Sequence, residues 1–187
     1  MRAGARGQGL RRAWALLAVL PGAALAHPVD EVVQGAYLTL APGELRLELD
    51  VTPGAEVLPS VLPLLDPDAD GTVSEAEAEA YAGAVLAAST LTLDGEPAAW
   101  TLLAVEVPDP ALLAAGGGLI RIDAVAPRPE REGARVLAYV NRHEPAKSLW
   151  MANVFLRPGE GWAYAVTGQE HSEDGRGLTV TYEATSP

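Results

Sequence analysis

Hydrophobic and charged positions alternate most cleanly over Leu45-Arg-Leu-Glu-Leu-Asp-Val51, where every second residue is apolar. A period of two predicts a half-buried strand with the leucines turned inward. Val32–Leu40 (VVQGAYLTL) reads as the strand before it, and the short Pro42-Gly43 connection predicts that the two pair as a hairpin. Alternation returns over Leu119–Val125. Further β-type runs occupy Trp100–Val107, Arg135–Arg142, Leu149–Leu156, Trp162–Thr167 and Leu178–Glu183. Leu91–Trp100 reads as a hairpin, because Asp94-Gly95 suits a type I′ turn. Short strands recurring at such intervals predict a mostly β, antiparallel, sandwich-like domain.

One segment departs from this pattern. Ala55–Leu65 is apolar without alternation, and its Pro59 and Pro63 lack amide donors and crowd the preceding turn, which predicts a short, broken helix. Ala76–Ala88 is rich in alanine, the best helix former. Ser74 stands just before it and Glu77 follows three residues later, the pattern of a capping box. A helical insertion is therefore expected at about residues 55–88. Pro108–Gly118, ending in Gly116-Gly117-Gly118, lacks the helix-opening context of a phosphate loop and is expected to be a flexible turn.

Between the two helical stretches the chain reads Asp66-Pro-Asp68-Ala-Asp70-Gly71-Thr72-Val73-Ser74-Glu-Ala-Glu77. This fills every slot of an EF-hand calcium loop. Calcium takes six to eight oxygens, so the loop needs carboxylates at its first, third and fifth positions, here Asp66, Asp68 and Asp70. Gly71 is sixth, where the chain turns sharply, and Thr72 is seventh, where a backbone carbonyl suffices. Ser74 is ninth, with its side chain or a bound water, and Glu77 is twelfth, where both carboxylate oxygens can chelate. The competing reading is a solvated acidic turn before a helix. A lone loop of this kind, its entering helix damaged by two prolines, points to an ion that orders structure rather than to a paired sensor.

The ends and the composition predict that this loop lies outside the cytoplasm. Arg2, Arg6, Arg11 and Arg12 precede a short apolar core, Ala13–Leu20, followed by Pro21-Gly22 and a small-x-small site at Ala24-Leu25-Ala26. Residues 1–26 are therefore expected to be a secretory signal, leaving 27–187 as a single exported β-rich domain, periplasmic or extracellular. All 25 acidic residues follow that site, and the whole chain already carries a formal charge of −12. So acidic a chain is not expected to bind nucleic acid or an anionic membrane. With no cysteine, the exported domain is expected to rely on its core and on metal rather than on disulfides.

Other candidate chemistry is sparser. Cleavage after Ala26 would make His27 the N-terminus, whose amine and imidazole together suit copper or nickel. His143 and His171, the other two histidines, fall on or near expected loops. They are either additional ligands or plain surface residues. Trp100, Trp150, Trp162 and the tyrosines lie mostly on expected strands, where core packing is the default and a sugar-binding row the alternative. Ser148 follows His143 by five residues but has no sharp-turn motif around it, and no enzyme activity is expected. Glu173-Asp174-Gly175 lacks the ligand spacing of a second calcium loop.

The order of these features carries a resemblance. A signal-like leader is followed by Ala26-His27-Pro28 and by a strand pair containing Gly43-Glu44-Leu45-Arg46-Leu47. Then come a Pro-Gly and apolar stretch, Asp66–Glu77 with Ala80-Tyr81-Ala82, and Leu91-Thr-Leu93-Asp94-Gly95. From Ala26 to Trp100 this resembles the extracytoplasmic N-terminal region of bacterial nickel/cobalt-uptake permeases of the hydrogenase/urease accessory type. Those permeases continue into membrane helices, whereas this sequence shows no later span, so the resemblance implies a soluble relative acting beside such a transporter. Two functional expectations follow. The first is an exported, non-enzymatic calcium-binding protein; the second is a nickel- or copper-binding accessory of a membrane transporter that uses His27.

Overall fold

A computed structural model of the chain describes residues 29–186. The order of elements is β1 (Val32–Ala41), β2 (Glu44–Pro53), α1 (Leu58–Leu65), α2 (Glu75–Ala87), β3 (Ser89–Leu93), β4 (Glu96–Ala98) and β5 (Thr101–Glu106). They are followed by α3 (Pro110–Ala114), β6 (Ile120–Pro127), β7 (Gly133–Asn141), β8 (Ser148–Leu156), β9 (Ala163–His171) and β10 (Gly177–Thr185). The expected hairpin between β1 and β2 forms in the register Ala41↔Glu44, with Gly43 at φ +74° making the turn. Leu45, Leu47, Leu49 and Val51 are all buried, which is what alternation with charged residues predicts for a sheet wet on one face.

The strands form two five-stranded sheets, ordered β5-β6-β2-β1-β8 and β4-β3-β7-β10-β9. One apolar core joins them. Leu38, Leu40 and Ile122 of the first sheet share it with Leu137, Tyr139, Val180 and Tyr182 of the second. The domain is thus mostly β and sandwich-like, and every strand pair but one is antiparallel. The exception is β1 with β8, which run parallel from Val32↔Ser148 to Leu40↔Leu156. The chain changes sheets between β4 and β5, although Leu91–Val107 reads as one continuous β stretch.

Helices α1 and α2 connect the sheets between β2 and β3. They bury Leu58, Val61 and Leu65 from the first, and Tyr81, Val85 and Leu86 from the second, in the same core. Pro59 sits in the first turn of α1, where its missing amide has no helical partner anyway, while Pro63 lies inside this eight-residue helix. The segment read as a loop after Pro108 contains α3. Asp109 caps it by accepting the Ala111 N–H at 2.7 Å, and Leu113 anchors it in the core.

Arg128 seals one end of the sandwich. Its side chain is fully buried and donates from Nη2 to Ala41 O at 2.8 Å and to Tyr164 Oη at 2.9 Å. It also pairs with Glu130, and it lies over the Tyr164 ring at 4.9 Å. Glu130 in turn accepts the Gly43 N–H, tying the β1–β2 turn to the segment after β6.

Candidate metal centre

The acidic loop spans the gap between α1 and α2, with its carboxylates at the surface. Asp66, the C-cap of α1, is half-buried, and Asp68 and Asp70 are exposed. One carboxylate oxygen from each lies within 4.8 Å of the others. Among the described residues this is the one group of three or more His, Cys, Asp or Glu side chains placed to hold a metal ion.

The backbone curls to make this possible. Ala69 at φ 59° and Gly71 at φ 86° turn the chain back on itself. Amides then point inward: Asp70 N donates to Asp66 Oδ1 at 3.1 Å and to Asp68 Oδ1 at 3.2 Å, and Gly71 N donates to Asp66 Oδ2 at 2.9 Å. Thr72 donates to Asp70 Oδ1 through both its amide, at 2.8 Å, and its hydroxyl, at 2.7 Å. These bonds draw the three carboxylates together.

The crowding has an electrostatic signature. Asp68 accepts the Asp70 amide, which favours its charged form. Yet its carboxyl is held above the usual range by a hydrogen bond shared with Asp66, by desolvation, and by the charges of Asp70 and Glu77. Asp70 is held below that range by the Thr72 hydroxyl and amide. Close carboxylates that oppose each other's ionisation are relieved by a cation.

At the far end of the loop, Ser74 and Glu77 form the expected capping box. Ser74 Oγ accepts the Glu77 amide at 3.3 Å, and Glu77 Oε2 accepts the Ser74 amide at 2.9 Å and hydroxyl at 2.8 Å. Glu77 therefore stands outside the aspartate cluster, engaged through one oxygen with the start of α2. Three carboxylates, with Thr72, Ser74 and Glu77 next to them in the loop, make an all-oxygen set suited to a hard cation.

No family model, curated protein or solved structure matches this chain.

His143 and His171 do not join the cluster. His27 lies outside the described residues, as does the leader. His143 is half-buried against Tyr81 of α2, whose hydroxyl lies 3.2 Å from its Nε2. His171 ends β9, and its Nε2 lies 2.9 Å from the carbonyl of Ala152 on β8, across the open side of the sandwich. No described helix is long and apolar enough to cross a membrane. Tyr81, which the sequence offered only as part of Ala80-Tyr81-Ala82 and without a role, has one in the structure. It fixes α2, and so the loop's exit, to a buried polar group centred on His143. Its position among alanines on a helix gave no cue, because its partner is 62 residues away.

Proposed function

We propose that this chain is an exported, non-enzymatic calcium-binding protein in which the ion orders the segment joining the two sheets. The observation that carries this reading is the convergence of Asp66, Asp68 and Asp70 within 4.8 Å, at the first, third and fifth positions of an EF-hand-type loop. Thr72 would add its backbone carbonyl, Ser74 a direct or water-mediated contact, and Glu77 its carboxylate. Calcium supplies charge neutralisation there, and the chain's part is to hold oxygens at the right spacing. Val73, the residue through which paired loops bridge, is half-buried here and packs on the domain's own core, which supports a structural rather than a switching role.

Outside the cytoplasm, modules of this kind bind calcium with dissociation constants of about 10⁻⁴–10⁻³ M. At a hundredfold excess over such a constant, binding stabilises the folded state by about 2.7 kcal/mol. For a domain of this size that is about 5–10 °C in Tm. The test is a melting curve with calcium and with chelator, on the wild type and on Glu77→Gln. Glutamine at this position still completes the capping box, so the variant keeps α2 while losing a charged ligand. The expected result is a calcium-dependent rise in the wild type and none in Glu77→Gln. Identical wild-type curves with calcium and chelator would refute the reading.

A further inference from the structure

The outer face of the first sheet carries a second feature, independent of the metal loop. A trough of about 670 Å³ runs across it, within the roughly 300–1,000 Å³ of small-molecule clefts. Strand register sets Ala104, Asp123, Glu48 and Tyr37 side by side along its floor. Both edge strands raise apolar walls. On β8 the wall is Phe155, 52% exposed. On β5 it is Leu103, 55% exposed, where the pairing with β6 slips between Leu102 and Ala104.

Tyr37 lies down on this floor. A Cβ added to Gly35, two residues back on the same face, would stand only 3.0 Å from the Tyr37 hydroxyl oxygen and 3.2 Å from Cζ. The absence of a side chain at Gly35 is what lets the ring cover the strand, and Tyr37 is half-buried there. Phe155 flanks it, with centroids 6.4 Å apart and rings tilted by 43°.

Charges of both signs surround the rings. Arg46 and Arg157 line the trough with Glu48, Asp50 and Asp123; Arg46 is paired with Glu44, and Arg121, beside the trough, reaches Asp50 and Glu48. Arg121 forks onto Asp50 at 2.9 and 3.1 Å, while Asp123 and Arg157 make no ion pair among the described residues. Carboxylate acceptors and planar guanidinium donors are thus interleaved around the aromatic rings. An anionic ligand would meet the carboxylates, a cationic one the guanidiniums, and a purely apolar one would leave charges unpaired. A neutral sugar satisfies both halves: its C–H face stacks on Tyr37 and Phe155, and its hydroxyls bridge carboxylate acceptors and guanidinium donors.

We propose that this trough is a binding site for a neutral oligosaccharide. The test is calorimetry of the whole domain against hexasaccharides of β-1,4-glucose, α-1,4-glucose, xylose, mannose and N-acetylglucosamine. Saturable binding to at least one is expected, weakened at least tenfold by Tyr37→Ala, retained by Tyr37→Trp, and untouched by Leu112→Ala on the exposed side of α3. Melting curves establish that each variant is folded, and Asp123→Ala, expected to weaken binding severalfold, serves if Tyr37→Ala is not. Absence of binding to the whole panel overturns the proposal. So does binding indifferent to both substitutions. An apolar peptide that shifts the Tyr37 resonances when no sugar does would make this a protein-docking face and overturn it equally.

Discussion

His143 lies two residues beyond the end of β7, and its backbone is held on both sides. Its amide donates to Asn141 Oδ1 at 2.9 Å, and its carbonyl accepts from Gln34 Nε2 at 2.9 Å and Trp150 Nε1 at 3.2 Å. Asn141 and Gln34, both buried, bond to each other at 2.9 Å. The ring meets Tyr81 edge-on, with centroids 5.5 Å apart. The neighbouring carboxylate, Glu144, is engaged by Arg176 at 2.5 Å, so no ion pair compensates an imidazolium here. Burial accordingly pushes the His143 pKa down from 6.5 to about 4. The sign follows from proton counting. Between those values the unfolded chain binds a proton that the folded chain refuses, so stability is full above about pH 6.5 and falls as pH drops toward about 4. His143→Gln removes this term. Its melting temperature should fall less than that of the wild type between about pH 7 and about pH 5, where few carboxylates titrate. Parallel losses in the two proteins would show that the imidazole is not the responsible group.

At the scale of elements, the loop between α1 and α2 depends on backbone conformations as much as on carboxylates. Gly71 holds φ +86°, and a Cβ added there would meet nothing within 4 Å. The cost of Gly71→Ala is therefore conformational, about 1–2 kcal/mol. It falls on the segment that would close around the proposed ion, so calcium affinity measured by titration should drop about tenfold while the chelated protein melts within a few degrees of wild type. An unchanged affinity would mean the loop does not close as drawn. The aspartate spacing, the capping box and the alanine-rich exit helix were all legible locally, because each is set by residues within a turn or two of one another. The strands with strict alternation were legible for the same reason. What escaped was α3, although Asp109 followed by Pro110 is a helix-start signal. The triple glycine after it drew the segment toward a loop reading. The sheet change between β4 and β5 and the parallel pairing of β1 with β8 escaped because both are decided by contacts far apart in sequence. The sugar trough was invisible for the same reason: Tyr37 and Phe155 are brought together only by that parallel pair.

For the whole molecule, 25 acidic residues against 13 basic ones raise a question that the loop alone does not. Any cation will stabilise so acidic a domain by screening its self-repulsion, and calcium added to it does two things at once. The paired charges do not remove this problem. Arg46–Glu44, Arg121–Asp50 and Arg176–Glu144 each use up one acid at or near the surface and leave most of the others unmatched. The two effects separate by concentration and by site. Screening by sodium chloride grows over roughly 0.01–0.5 M, as the Debye length shrinks from about 30 Å toward a few ångströms, and it takes no account of which carboxylates are present. The proposed binding would saturate at millimolar calcium and require the loop. In protein freed of divalent ions, added sodium chloride should therefore raise the melting temperature of the wild type and of Glu77→Gln by the same few degrees. At fixed ionic strength, replacing part of the sodium with a few millimolar calcium should raise only the wild type, and magnesium, which demands tighter octahedral geometry, should do less. Equal responses of both proteins to calcium at constant ionic strength would reduce the aspartate cluster to one more patch of an acidic surface.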